Sequence, residues 1–168
     1  MVGAFFFLRI EKSQKIWHYI HVKVISTSVE ETQQIASDLL DKYIQKGVSP
    51  LVFALSGDLG AGKTAFAKGI AKNLGIEESV NSPTFVLMHP YEINKNGFKT
   101  FYHIDAYRLE SEKDLAPLGI KEILNNKENI VLIEWSERVE KILPENSVRI
   151  HIEHLEENKR EIIVQDDE

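Results

Sequence analysis

One segment of eight residues carries a clear chemical signature. It is Gly57-Asp58-Leu59-Gly60-Ala61-Gly62-Lys63-Thr64, and it matches the P-loop pattern G-x-x-x-x-G-K-[ST]. Glycines at these positions let successive backbone N–H groups point into one concavity that surrounds phosphate oxygens, and the helix that follows presents its positive N-terminal end to the same anion. Lys63 can reach the β- and γ-phosphates, and the Thr64 hydroxyl can bind Mg²⁺. The segment therefore predicts a nucleotide site, in which Lys63 is expected to be partly exposed, so that truncating it leaves no cavity in the core.

Two carboxylates stand where predicted strands end. Asp105 follows residues 98–104, and Glu134 follows the apolar run 130–133. Because ligands of sheet-based nucleotide proteins gather at the carboxyl ends of parallel strands, Glu134 fits a role at Mg²⁺, against the alternative of a solvated charge at a strand end. Asp105 is the weaker candidate, because a strand in a hairpin need not point the same way. Its alternative is to cap the turn before Tyr107.

The surrounding residues narrow the nucleotide chemistry. A guanine-specific GTPase would carry D-x-x-G and N-K-x-D. Here Asp105 is followed by Ala106-Tyr107-Arg108, and Asn126-Lys127-Glu128-Asn129 lacks the final acid and precedes a strand. Arg108 and Arg138 are too few and too scattered to argue for the lid of a small-molecule kinase, although that class stays open. An ATPase and a nucleotide-gated binding module without essential hydrolysis both fit these residues.

Local patterns predict the elements that hold these residues. Ser28 and Glu31 have the spacing of a capping box, and a helical pattern runs from there to about residue 46. The P-loop lies between a buried strand at 51–55 and a helix at 64–74. The other predicted elements are strands at 20–24, 85–88, 98–104, 130–133, 148–152 and 162–164, and a broken helical stretch at 111–125.

The composition indicates one domain without covalent cross-links. The chain has 168 residues, the size of a single domain. Its 20 Lys and Arg against 26 Asp and Glu give a net charge of −6, which argues against holding nucleic acid by bulk charge. There is no cysteine, which excludes disulfides, thiolate metal sites and a cysteine nucleophile.

The beginning of the chain differs from the rest. Its apolar run at residues 2–8 is far too short for a transmembrane helix and has no basic segment before it, so we expect no membrane association and a cytoplasmic location. We predict a flexible extension at residues 1–19, with an extra edge strand as the alternative. The single P-loop domain is predicted to cover residues 20–168.

Three further strings of residues carry a family resemblance. They are Ser82-Pro83-Thr84-Phe85, His103-Ile104-Asp105-Ala106-Tyr107-Arg108-Leu109 and Ile133-Glu134-Trp135. Together with the P-loop, in this order, they resemble the TsaE (YjeE) family, the P-loop ATPases of bacterial tRNA threonylcarbamoyladenosine biosynthesis, over residues 20–164. The resemblance implies an α/β fold, a P-loop NTPase-like three-layer domain with a mixed, partly parallel sheet between helices. It also implies ATP and Mg²⁺ as cofactors, weak ATPase activity alone, TsaB and TsaD as partners, and contact with tRNA only through their complex.

The resemblance also suggests roles for individual residues. It implies a catalytic set of Lys63, Asp105, Glu134 and Thr84, with Thr64 and Glu134 at the metal and Asp105 as a Walker-B-like aspartate. Thr84 would belong to a switch-like loop that faces the γ-phosphate, and the alternative is a hydroxyl that merely starts a strand. Tyr107, Arg108 and Trp135 would serve as framework or partner contacts. The adenine would lie near Thr27 or Ser28 and near Asn158 or Lys159. Residues 1–19 have no counterpart in the family pattern.

Overall fold

A seven-stranded mixed sheet forms the centre of the protein, as described by a computed structural model for residues 19–78 and 80–167. The strands are β1 (Tyr19–Ser26), β2 (Leu51–Ser56), β3 (Met88–Lys95), β4 (Phe98–Asp105), β5 (Asn129–Glu134), β6 (Val148–Glu156) and β7 (Lys159–Asp167). Their order is β1-β7-β6-β2-β5-β4-β3. The four central strands β6, β2, β5 and β4 are parallel, and the outer strands β1, β7 and β3 pair antiparallel. The predicted extension lies outside the described residues except for Tyr19, which begins β1.

Helices cover both faces of the sheet. On one face lie α1 (Val29–Gln45) and α2 (Lys63–Asn73), and on the other lie α3 (Ile120–Asn125) and short 3-10 helices at Glu112–Leu118, Ser136–Arg138 and Glu140–Ile142. The alternation along β2 separates the two cores, because Phe53 and Leu55 pack beneath α1 and α2 while Val52 and Ala54 pack against the other layer. All four side chains are buried, as expected of a central parallel strand. The predicted three-layer α/β fold with a mixed, partly parallel sheet is confirmed. No helix of the described residues has the length and apolar character needed to cross a membrane.

The start of α1 has the predicted cap with one difference. The Ser28 side chain accepts a hydrogen bond of 3.0 Å from the Glu31 N–H, as the spacing predicts. The Glu31 carboxylate, however, accepts from the backbone N–H and hydroxyl of Thr27, at 2.6 and 2.8 Å, and not from Ser28. Both Thr27 and Ser28 are thereby engaged in holding the helix terminus beside β1.

The predicted strand at residues 85–88 is wrong. The N–H groups of Val86 and Leu87 both donate to the carbonyl of Pro83, at 2.9 and 2.7 Å, which closes a tight turn. Leu87 has a φ of 64°, in the left-handed region that extended strands do not use. Strand β3 therefore begins only at Met88, and the apolar side chains of Phe85 and Val86 point to solvent instead of the core.

Gly69 allows α2 to lie directly on α1. A Cβ atom at this position would lie 2.3 Å from the carbonyl oxygen of Gln33 and 2.7 Å from its Cα. In an ordinary helix, Gly→Ala stabilises by about 1 kcal/mol. We expect the opposite sign for Gly69→Ala, a loss of about 1–3 kcal/mol in unfolding free energy, because the backbone of α1 must move.

Urea denaturation checks this prediction. Lys68→Ala, on the exposed face of the same helix, is the control and should change stability by less than about 0.5 kcal/mol. A Gly69→Ala variant as stable as the wild type would contradict the close approach of the two helices.

Candidate nucleotide site

The P-loop connects β2 to α2 across the edge of the parallel sheet. Gly57 has a φ of 135°, and a Cβ atom there would lie 2.2 Å from the carbonyl oxygen of Ile152 in β6. Gly62 has a φ of 114° and caps the N-terminus of α2. Only glycine allows these conformations without strain. The last hairpin thus forms the wall behind the loop, and the helix end directs its free N–H groups towards the cleft.

Lys63 is buried, contrary to the expectation of partial exposure. Only 5% of it is exposed, because its Nζ donates to the carbonyls of Gly57 at 2.6 Å and Asp58 at 2.8 Å. The same Nζ lies 3.7 Å from the centre of the Trp135 ring, a cation–π contact. Burial lowers the pKa of Lys63, and nearby carboxylates, that of Glu134 foremost, oppose this shift. The Lys63 side chain therefore folds back onto the P-loop, and the Trp135 ring covers its ammonium group.

Glu134 joins the P-loop to the centre of the sheet. The Thr64 hydroxyl donates to its carboxylate, with 3.0 Å to Oε2 and 3.2 Å to Oε1. On the other side, His103 Nε2 lies 2.8 Å from Oε1, and both side chains are buried. Sequence reasoning gave His103 no role, although it lies two residues before Asp105 on the same face of β4. The two predicted metal-linked residues, Thr64 and Glu134, are therefore in direct contact.

Asp105 lies beside Glu134. Strand β4 is parallel to β5, and the two carboxylates stand at paired register positions. Asp105 Oδ1 accepts from the Tyr107 N–H at 2.8 Å, so it does cap that turn. Its Oδ2 accepts from the hydroxyls of Thr84, at 2.6 Å, and Ser82. Asp105 therefore caps the turn before Tyr107 with one carboxylate oxygen and holds the hydroxyls of Ser82 and Thr84 with the other. Its role as a Walker-B-like aspartate stays a prediction.

These side chains line one open cleft of about 330 Å³. Its walls include Leu59, Gly60, Gly62, Lys63, Thr64, Ser82, Thr84, Asp105, Tyr107, Glu134 and Trp135. Gly57, Asp58 and Ala61 shape the loop without lining the cleft. The proposed adenine contacts are not among the lining residues, and Lys159 forms an ion pair with Glu156 at 2.9 Å. Two large apolar side chains beside the cleft are exposed: Leu59, which lines it, by 79%, and Phe85, which follows Thr84, by 84%.

The donor atoms fit a hard divalent cation. Among residues 19–78 and 80–167, no group of three or more His, Cys, Asp or Glu side chains is arranged as a metal cage. Mg²⁺ does not need such a cage, since it keeps several waters and takes one or two protein oxygens together with substrate phosphates. The Thr64 hydroxyl and the Glu134 carboxylate are oxygen donors of this kind. The site therefore suits Mg²⁺ with a nucleotide better than it suits a metal held by protein alone.

The sheet order and the site together define a P-loop NTPase-like α/β protein. A structure search supports this class: the crystal structure of YdiB from Bacillus subtilis matches with a TM-score of 0.68 and 31% identity, covering 89% of this chain and 88% of that one. The family model "Threonylcarbamoyl adenosine biosynthesis protein TsaE" matches residues 26–162. The chain belongs to the TsaE family of tRNA threonylcarbamoyladenosine biosynthesis.

Individual relatives agree with this assignment. The tRNA threonylcarbamoyladenosine biosynthesis protein TsaE of Treponema pallidum is 38% identical over 143 residues, which is 85% of this chain and 99% of the relative. The protein of the same name from Bacillus subtilis is 40% identical over 133 residues, 79% and 78% of the two chains. The Haemophilus influenzae protein is 37% identical over 134 residues, 79% and 80% of the two chains.

Proposed function

We propose that this chain is the ATP-binding and ATP-hydrolysing component of the cytoplasmic machinery for tRNA N6-threonylcarbamoyladenosine, acting with TsaB and TsaD and meeting tRNA only through their complex. The observation that carries the proposal is the contact between the Thr64 hydroxyl and the Glu134 carboxylate, beside Asp105 and next to the P-loop. The P-loop, the oxygen donors suited to Mg²⁺ and the two carboxylates line one cleft, and this supports the proposal. Phosphoryl transfer to water requires these parts.

Each part has a separate task. The N–H groups of residues 57–64 hold phosphate oxygens, and Lys63 exchanges its two backbone carbonyl partners for phosphate, which is the stronger acceptor. Thr64 and Glu134 would hold Mg²⁺, which neutralises charge on the phosphates when bound. Asp105 and Thr84 orient the attacking water. His103 fixes the orientation of the Glu134 carboxylate from below.

Slow turnover by the isolated chain follows from the loop that carries Thr84. The hydroxyls of Ser82 and Thr84 both donate to Asp105, so the acceptor that would orient water is already engaged. No arginine is among the residues that line the cleft around Thr84 and Asp105 in the described part of the chain, and an arginine supplied there by a partner is worth roughly 10³ to 10⁵ in rate in other nucleotide hydrolases. A docking partner that moves the loop would therefore accelerate hydrolysis.

Phosphate release at fixed ATP, titrated with purified TsaB and TsaD, tests this function. We expect a low rate for the chain alone and at least about a tenfold rise at saturating partners, with Thr84→Ala losing most of that rise. Thr100→Ala, a partly buried threonine on β4 outside the cleft, is the matched control. An unchanged wild-type rate would contradict activation by these partners, and a fully stimulated Thr84→Ala would exclude this loop as its route.

A second candidate is a nucleotide-gated binding module in which hydrolysis is not essential. It is favoured by the exposed apolar side chains of Leu59, which lines the cleft, and of Phe85 and Val86, which follow the lining residue Thr84, because exposed apolar patches commonly mark interaction sites. The two functions differ in a reconstituted modification assay. Glu134→Gln, which should bind ATP without hydrolysing it, supports repeated rounds of tRNA modification only if hydrolysis is dispensable.

A further inference from the structure

The side chain of Arg160 reaches the P-loop from the last strand. Arg160, Ile162 and Val164 are every second residue of β7 and therefore share one face of the sheet. Ile162 and Val164 belong to the core beneath α1 and α2, so Arg160 lies on the same face as the P-loop. A Cβ atom on Gly62 would lie 2.9 Å from Arg160 Nε and 3.0 Å from its Cδ. The arginine is therefore packed directly on the glycine that caps α2.

The hydrogen-bonding capacity of this guanidinium is largely unused. Its Nε is buried and has no hydrogen-bond partner among residues 19–78 and 80–167, and Nη1 has one long contact of 3.5 Å to the Asn158 carbonyl. The other arginines in that part of the chain have partners: Arg108 the Phe85 ring, Arg138 the Leu109 carbonyl and Arg149 the Glu140 carboxylate. Buried N–H donors are nearly always paired in proteins, so the orphaned Nε needs an explanation.

The positions directly opposite Arg160 on the two neighbouring strands hold no carboxylate. The residue opposite on β1 is Ser26, and the residue opposite on β6 is His154. Ser26 is itself buried and hydrogen-bonded to Thr32 and to the Ser28 carbonyl. The P-loop beneath the guanidinium binds anions, and an anion held there would pair with the positively charged Arg160. Arginine also presents its donors in a planar fork that matches phosphate geometry.

We propose that Arg160 is a nucleotide-binding residue, whose guanidinium donates to phosphate oxygens held in the P-loop and supplies a second positive charge in addition to that of Lys63. This inference rests on the proposed function, because it adds a residue to the same site. It also assigns a task to the β6–β7 hairpin, which contacts the P-loop at Gly57 through Ile152 and at Gly62 through Arg160. Asn158 and Lys159, in the turn of this hairpin, are not required.

Isothermal titration with ATP and with inorganic tripolyphosphate, at one fixed ionic strength, tests the assignment. Arg160→Met keeps the aliphatic stem on Gly62 and removes the donors. We expect its dissociation constants for ATP and for tripolyphosphate to rise together, by roughly 10- to 100-fold, the usual effect of losing a charge-assisted hydrogen bond. Arg160→Lys should fall between Arg160→Met and the wild type, since it keeps the charge but not the fork.

Lys23→Ala is the charge-matched control. Lys23 lies on the adjoining strand, is 42% exposed in its side chain, and pairs with Glu161 at 3.3 Å on the surface, so both affinities should stay unchanged. An Arg160→Met variant that binds ATP as the wild type does would overturn the inference. A loss for ATP without a loss for tripolyphosphate would overturn it too, because the contact would then be to adenosine. A wild type that bound neither ligand would reject the proposed function itself.

Discussion

Lys63→Ala should lower ATP turnover by about two to three orders of magnitude while the protein remains folded. The charge of Lys63 stands at the phosphate cradle, and removing one preorganised group that stabilises developing charge costs about 10²- to 10³-fold in rate. Because the side chain is buried under Trp135 and bonded to the carbonyls of Gly57 and Asp58, truncation also leaves acceptors unpaired. We therefore expect a loss of stability of about 1–3 kcal/mol in addition.

Two further variants separate charge from packing at this position. Lys63→Met fills the space under the Trp135 ring without a charge and should be as inactive as Lys63→Ala. Lys68→Ala removes the same charge from the exposed face of α2 and should keep full turnover. Phosphate release and circular dichroism on the same samples provide the measurement. Wild-type turnover in folded Lys63→Met would contradict the assignment of residues 57–64 as a phosphate-binding loop.

Glu134→Gln and Asp105→Asn should each reduce kcat by roughly 10²-fold or more while changing ATP affinity by only a few fold. The P-loop makes most of its phosphate contacts through backbone N–H groups, which survive these substitutions. In the proposed function the carboxylates act on the cation and on the attacking water, whose interactions strengthen as charge develops. The amide variants keep the shape of each side chain and can still bond to His103 or Thr84, so the change isolates the charge.

Equilibrium binding and single-turnover hydrolysis distinguish the two effects. Glu145→Gln, an exposed residue in the loop before β6, removes one charge at a distance and should leave both quantities unchanged. If Glu134→Gln or Asp105→Asn lost ATP affinity but hydrolysed bound ATP at the wild-type rate, the prediction would be contradicted. The carboxylates would then serve binding and not hydrolysis.

Local signals in the sequence were sufficient for the P-loop and for the central strands. The pattern at residues 57–64 encodes its own geometry, since the glycines at 57 and 62 take positive φ values that other residues rarely adopt. The apolar run at residues 51–55 predicts a strand buried on both faces, and β2 is one. Helix α1 was predictable because its cap and its periodicity are both contained in a single window of residues.

Features that depend on distant partners were not predictable in this way. The direction of β4, and hence the position of Asp105 beside Glu134, depends on pairing with β5. A turn at Pro83 takes the place of most of the strand suggested by the apolar residues 85–88, because Phe85 and Val86 face solvent and β3 begins only at Met88. The contact of Arg160 with Gly62 joins two segments that are remote in sequence. The sequence near Arg160 shows only a basic residue beside a predicted strand, which does not indicate a contact with the P-loop.

The pairing of β1 with β7 affects the order in which the chain can fold during synthesis. Strand β1 is translated before every other described strand, yet among the described residues its neighbour in the sheet is β7, with Tyr19 opposite Asp167 and Ser26 opposite Arg160. Such long-range pairing is slow, because a large loop must close before its contacts form. The same β7 carries Arg160, and its hairpin partner β6 supports Gly57. The nascent chain consequently contains the whole P-loop sequence before it contains β7, so the described sheet and the proposed contact of Arg160 with bound phosphate can form only after β7 is translated.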